Sequence, residues 1–254
     1  MRRGAAEHWR LVKEALTRRV VVYERPSPSE TLYIKWVQIR GWKKRIGSAL
    51  RPSKAVREFH LGRALLSAGY LTPTPLLFAE RRQGPFLRDA FLVTRGLDAP
   101  DWVTIRVLHG DWMRMGHRRE VLDLIADLGM VLRDCHDQGF VHDDCRAQHW
   151  LARPSAFADS RKNTVSWMSR WCVLDLDGSR LGRPPGWRRR RKLLAQMAAS
   201  FTRPAWTSED TFRLVQSYYA DRGNLDRLAE IIQKRADHFY EKGRDRPPSR
   251  RTMH

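Results

Sequence analysis

FVHDDCRAQHWL, residues 140–151, is the stretch on which the reading of the whole chain turns. It gathers two imidazoles, His142 and His149, and two carboxylates, Asp143 and Asp144, into one short segment. A strong helical pattern precedes it. Val121, Ile125, Leu128, Leu132 and Cys135 recur at i, i+4, i+7, i+11 and i+14, one face of a helix. Gly139 supplies the stop, since glycine takes the left-handed backbone that ends helices. Residues 150–152 leave the segment as a short strand. Imidazoles and carboxylates concentrated between a helix and a strand are groups that can accept a proton or hold a metal ion.

Upstream, residues 5–18 read as a short amphipathic helix or an ordered arm. Residues 20–25 (VVVYER) and 31–37 (TLYIKWV) read as two strands of a hairpin with a five-residue loop, 26–30. Lys35 lies inside the second strand, where a lysine ordinarily just faces solvent. Residues 38–52 read as a basic loop. A helix is expected from Ser53, an N-cap residue, to Gly69. Glu58 shares its apolar face with Leu61 and Leu65, and a carboxylate there needs a cation unless it sits at the boundary of the face. Residues 70–75 are extended because Pro73 and Pro75 bias their predecessors away from helix. Two further strands, 76–82 and 90–97, flank a QGPF turn. These segments make a small lobe of four strands and one helix.

Residues 98–118 read as irregular. Beyond the central stretch, 153–170 form a polar insert read as a long hairpin loop. Residues 171–177 (WCVLDLD) read as a buried strand ending in Asp175 and Asp177. Residues 181–187 are a connector. Helices are expected over 188–201, 208–220 and 224–240, with a charged tail over 241–254. The expected fold is α+β and two-lobed. Its parts are a nucleotide-binding N-lobe (19–97), a mainly helical catalytic and acceptor-binding C-lobe (98–240) and a flexible basic tail.

Phosphoryl transfer requires positioning and charge neutralisation more than covalent chemistry. Lys35, Glu58, Asp144, His149 and Asp175 occur in the order that such a site needs. The protein-kinase signature H-R-D-L-x-x-x-N has the same five-position gap between its catalytic Asp and its metal-binding Asn as Asp144 has to His149. His142 stands where that signature has its His. The segment VHDDCRAQHWL resembles the catalytic loop of the lipopolysaccharide kinase (Kdo/WaaP) family, which has a protein-kinase-like fold. Three more stretches are similar to that family: AVREFHLGRALLSAGYLTPTPLLFAE (55–80), FLVTRGL (91–97) and VLDLDGSRLG (173–182).

The resemblance implies roles for particular residues. Lys35 would bind phosphate and Glu58 would orient it. Asp144 would be the catalytic base, with His142 bracing its loop. His149 and Asp175 would hold Mg²⁺. Thr94, Arg95, Gly96 and Leu97 would form the hinge whose backbone holds the adenine of ATP. The family acts on heptose or Kdo of the lipopolysaccharide inner core, at the cytoplasmic face of the inner membrane. Two departures stand out. Residues 25–31, RPSPSET, contain no glycine-rich loop, and Asp143 replaces the usual basic residue before Asp144.

The 254 residues carry 48 Lys and Arg against 28 Asp and Glu, a net charge of +20. Such a field favours polyanions without choosing among nucleic acid, an anionic membrane and a phosphorylated glycolipid. Dense basic runs stand at 188–192 and 42–45, and the basic helix after Trp187, with the loop 40–51, is the candidate for docking to anionic headgroups or core phosphates. No nucleic-acid motif accompanies the charge. Cys135, Cys145 and Cys172 form no CxxC pair, so a reducing compartment is expected. The N-terminal residues have charge but no apolar signal core, and no apolar run is long enough to span a membrane. Membrane contact, if any, is expected to be peripheral. Cys135, His136, His142, Cys145 and His149 also admit a structural-zinc reading. The same residues would equally serve a kinase-like enzyme with a protein or small-molecule acceptor, or remain in a pseudokinase.

Overall fold

The computed structural model describes residues 8–26, 29–49, 51–97, 101–158, 170–203, 205–220 and 223–244. The chain divides into two compact units, Met1–Trp102 with Cys172–Ser179, and Val103–Trp171 with Arg180–His254.

The first unit is built on a five-stranded antiparallel sheet of order β1-β2-β3-β5-β4. Its strands are β1 (Trp9–Ala15), β2 (Arg18–Pro26), β3 (Ser29–Gln38), β4 (Thr74–Gln83) and β5 (Phe86–Arg95). Two helices accompany them, α1 (Trp42–Ala49) and α2 (Lys54–Ser67). Two sequence expectations change here. The helix or arm expected over 5–18 is a strand from Trp9, exposed along its whole length at the sheet edge, so no buried periodicity betrays it. The basic loop over 38–52 contains helix α1. The hairpin of β2 and β3 pairs as far as Pro26 and Ser29, so its strands run further than expected and its loop is shorter.

Helix α2 begins as its sequence demands. The Ser53 hydroxyl accepts the backbone N–H of Val56 as N-cap. Gly69, at φ +86°, follows the last turn in the left-handed conformation. The helix packs on the sheet through Ala55, Leu87, Ala90 and Leu92, with Ile39 and Phe59 around them.

In the second unit, β6 (Val103–Thr104) leads into α3 (Ile105–Arg114) and α4 (Arg118–Asp137). Residues 98–118 are therefore not wholly irregular. β7 (Phe140–Val141), a 3-10 turn (Ala147–His149) and β8 (Trp150–Ala152) follow. A short helical turn, α5 (Ser155–Ala158), opens the polar insert, and residues 159–169 lie outside the described residues. β9 (Trp171–Val173), whose Cys172 and Val173 are counted with the first unit, is shorter than the strand expected over 171–177, because Asp175, also of the first unit, takes φ +52°. β10 (Arg180–Leu181) pairs with β7. Helices α6 (Trp187–Ala199), α7 (Ser208–Tyr219) and α8 (Leu225–Arg244) complete the unit. α8 runs beyond the expected end at 240, and residues 245–254 of the tail lie outside the described residues. Among the described residues no helix is long and apolar enough to cross a membrane.

Two glycines fix how closely these elements pack. Gly139, at φ +81°, ends α4 where a Cβ would collide with the carbonyl of Gly182. Gly129 lets α4 approach α7: a Cβ there would lie 2.8 Å from the Leu214 carbonyl oxygen and 2.8 Å from the Ser217 Cβ. Interiors at crystal-like density cannot absorb that overlap without moving a helix. Gly129→Ala should therefore cost about 1–3 kcal/mol of stability. Met130→Ala, one position along on the exposed face, should stay within about 0.5 kcal/mol. Comparing the two denaturation midpoints checks this; equal midpoints would mean that the helix contact is loose.

Candidate active-site residues

In the first unit the strand register brings the cations together. Val20 of β2 faces Lys35 of β3, and Arg18 faces Val37. Side chains alternate along a strand, so Arg18 and Lys35 share one face of the sheet. Helix α2 places Glu58, 6% exposed, against that face. The Lys35 ammonium donates to Glu58 Oε1 and Oε2 at 2.7 and 2.8 Å, and to Asp175 Oδ1 at 3.0 Å.

The backbone holds Asp175 there. Leu71 and Cys172 form a parallel bridge, the Val173 N–H donates to the Leu71 carbonyl, and the Thr72 hydroxyl donates to the Val173 carbonyl at 2.8 Å. The left-handed backbone of Asp175 is uncommon for a residue with a side chain, and such strain concentrates at functional sites. Two residues on, Asp177 accepts from the Lys54 ammonium at 2.6 Å.

Glu58 and Asp175 respond differently to this setting. Burial raises the Glu58 carboxyl above its ordinary range and outweighs the downward pull of Lys35. Burial pushes Asp175 the same way, but Lys35 and Arg18 together overcome it and hold its carboxyl below the usual carboxylate range. Asp175 is therefore an anion, and the Arg18 guanidinium donates to both of its oxygens at 3.1 and 3.2 Å.

The hinge expected over Thr94–Leu97 closes the same sheet. Thr94 faces Tyr33, Arg95 donates to Glu30 at 2.6 Å, and the Gly96 N–H donates to the Thr31 carbonyl at 2.7 Å. A Cβ on Gly96 would come within 3.1 Å of the Tyr33 ring, which explains the glycine. The Gly96 N–H thus already has an acceptor.

In the second unit, α4 and β7 deliver the loop 142–149. His142 is buried and stacks on His149 with ring centroids 5.4 Å apart. Asp144 is far more open, with 42% of its side chain exposed, and Arg146 Nε lies 2.6 Å from its Oδ1. His149 Nδ1 is 3.0 Å from the Asp144 carbonyl oxygen. A carbonyl only accepts, so in this hydrogen bond Nδ1 carries a proton and Nε2 is the nitrogen left for another partner. The Ala147 N–H donates to the Ser200 hydroxyl at 2.7 Å, which in turn donates to the Met197 carbonyl at 2.6 Å. Asp143, which replaces the basic residue of the signature, is ion-paired with Arg189 of α6.

That ion pair changes the reading of the basic run at 188–192. Arg189 is bound to Asp143, Arg190 is bound to Asp137, and Arg191 lies over the Trp187 ring. Much of the run works inside its own unit, leaving Arg188 exposed.

Among the described residues no three His, Cys, Asp or Glu side chains gather to hold a metal ion. The cysteines are buried thiols, and His136 shares a 2.6 Å hydrogen bond with the Tyr218 hydroxyl. Mg²⁺ does not need an all-protein cage; it is held by one or two carboxylates together with substrate phosphates. The ionised Asp175 carboxylate is a group of that kind, whereas His149 would offer an imidazole nitrogen rather than an oxygen. Arg18 stands beside Asp175, Arg146 beside Asp144 and Arg189 beside Asp143; the sequence marks Arg189 only as part of a basic run and does not mark Arg18 at all.

Residues 5–218 match the model of the lipopolysaccharide kinase (Kdo/WaaP) family. The lipopolysaccharide core heptose(I) kinase WaaP of Pseudomonas aeruginosa is 28% identical over 169 residues, 65% of this chain. The matched segment covers 59% of that protein's length. Among solved structures, WaaP in complex with acyl carrier protein matches with a TM-score of 0.62 at 23% identity. That match covers 91% of this chain and 88% of the other, a likeness of fold.

Lys35 is 13% and Glu58 7% exposed at their side chains, so removing the lysine strands a buried carboxylate. Lys35→Met should cost about 3–5 kcal/mol at pH 8. The deficit should shrink at pH 5, where Glu58, already raised by burial, takes up a proton. Asp175 does not enter this window. Its folded-state carboxyl is depressed, so its contribution is complete above the unfolded value and is lost only as pH falls below about 4. Denaturation of both proteins at both pH values checks this; an equal deficit at pH 5 and pH 8 contradicts it.

Proposed function

The chain belongs to the lipopolysaccharide kinase (Kdo/WaaP) family, and from that premise we propose that it transfers the γ-phosphoryl group of ATP to a sugar hydroxyl. The acceptor is heptose or Kdo of the lipopolysaccharide inner core, or a similar lipid-linked glycan. The observation that carries this reading is the Lys35 ammonium held between Glu58 and Asp175. A lysine fixed by a helix carboxylate beside an ionised aspartate suits a polyphosphate, whose charge must be neutralised in a defined place.

Lys35 binds the α/β-phosphates and Glu58 keeps its ammonium in position. Asp144 accepts the proton of the sugar hydroxyl. The freed oxygen attacks the γ-phosphorus, the bond between that phosphorus and the β–γ bridging oxygen breaks, and ADP leaves with the bridging oxygen. The openness of Asp144 leaves room for an acceptor at its carboxylate. Arg146 beside it and the His149 hydrogen bond to its carbonyl orient the loop. Mg²⁺, when bound, would neutralise the phosphates; Asp175 and His149 are the groups that the family resemblance assigns to it. The segment 94–97 is assigned to the adenine.

The test is transfer of radiolabelled phosphate from ATP to extracted lipopolysaccharide, alongside a generic protein substrate. Label in the core sugar is expected. Label in the protein substrate would move the acceptor to another class, and no label in either would favour a pseudokinase. Asp144→Asn should lower turnover by about 10²–10⁴-fold, the usual worth of a general base, while nucleotide affinity stays near that of the parent. A variant that turns over at the parental rate removes Asp144 from the base role.

A further inference from the structure

Arg18 is the first residue of β2, directly after the two-residue turn from β1. Its guanidinium donates two hydrogen bonds to one carboxylate, that of Asp175. Its Nε–H is buried and finds no acceptor among the described residues. A buried donor without a partner is costly, so this Nε–H has capacity for a further acceptor, as do those of Arg170, Arg189, Arg191, Arg203 and Arg213. The turn at Leu16 and Thr17 stands at the Lys35–Asp175 end of the sheet, and Leu16 is 85% exposed. The turn between β2 and β3 lies at the opposite end of these strands.

The local charges balance as they stand. Lys35 and Arg18 contribute two cations, Glu58 and Asp175 two anions. A free divalent cation approaching Asp175 must displace a guanidinium that already spans both oxygens, and it does so under repulsion from two positive charges. A cation arriving with a polyphosphate meets a different balance. The phosphate oxygens offer new partners to both displaced cations, and an acceptor to the buried Nε–H.

We propose that Arg18 is a second phosphate-binding cation of the nucleotide site and that, without nucleotide, it occupies Asp175 in place of a divalent cation. This rests on the kinase reading of Lys35 and Asp175. Its consequence is that metal and nucleotide bind with positive coupling, each making room for the other. The turn after β1, with Arg18 as its charged end, takes the position that a glycine-rich loop would otherwise serve with backbone N–H groups.

The test measures two affinities on the full chain. Mn²⁺ binding without nucleotide is followed by electron paramagnetic resonance, and binding of a non-hydrolysable ATP analogue with Mg²⁺ is followed by calorimetry. Arg18→Met should bind Mn²⁺ about tenfold more tightly and the analogue about tenfold more weakly, the worth of a charge-assisted hydrogen bond. Arg18→Lys should keep Mn²⁺ affinity low and retain most of the analogue affinity. Should Arg18→Met fail to fold, Arg18→Gln carries the same two opposed expectations. A merely structural role would weaken both ligands together, and that result overturns the proposal, as does no change in either. A parent chain that binds no analogue defeats the kinase reading and the phosphate role with it. Analogue binding by the parent with unchanged affinities in Arg18→Met defeats the role of Arg18 alone.

Discussion

One ammonium group, that of Lys35, is held between two carboxylates that come from distant parts of the chain. Glu58 reaches it from α2 and Asp175 from the segment after β9, 23 and 140 residues away in sequence. Buried charges are tolerated only when paired, so both carboxylates lean on the one ammonium, and Asp175 has the Arg18 guanidinium besides. The pairing explains why β3 carries a lysine on a face where an apolar residue would pack, and why α2 carries a glutamate among its apolar positions. It also accounts for the left-handed backbone at Asp175, which turns a carboxylate back toward the sheet. Replacing the whole cluster by apolar side chains of similar volume would be neutral or stabilising, whereas removing Lys35 alone strands its partners.

Much of this architecture is legible in the sequence because it follows local rules. Ser53 and Gly69 bracket α2, the apolar stripe of α4 announces a buried helix, and β-branched and aromatic residues mark β2 to β5. The errors have equally local causes. β1 lies exposed at a sheet edge, so it lacks the alternation that identifies strands, and its Leu, Lys, Glu and Ala are good helix formers. α3 is hidden because His109 and Gly110 follow Ile105 and Leu108 and break the apolar pattern after one turn, although His109 is itself fully buried. The early end of the strand expected over 171–177 escapes the sequence because alternation of apolar and acidic residues looks the same whether or not the backbone turns at Asp175.

Among the site residues, Lys35 and Glu58 can be paired from sequence because each is unusual in its element. Arg18 cannot. In a chain with 48 Lys and Arg, one more arginine carries no signal until strand register places it beside Lys35. The same abundance misleads about charge. Arg118, Arg170, Arg189, Arg190 and Arg203 each face a carboxylate in their own unit. Such pairs cancel in the sum, so the net charge of +20 is the excess of 48 Lys and Arg over 28 Asp and Glu. Asp143 illustrates the compensation: an acid in place of the expected base is matched by an arginine on α6.

The central claim is that the Lys35 ammonium lies where nucleotide phosphates bind. An acyl-phosphate derivative of ATP acylates the amine nearest its phosphates, and mass spectrometry locates the modified residue. Labelling of Lys35 that excess Mg-ATP suppresses is the predicted result. Labelling spread over surface lysines, or labelling of Lys35 that ATP does not suppress, would contradict the account.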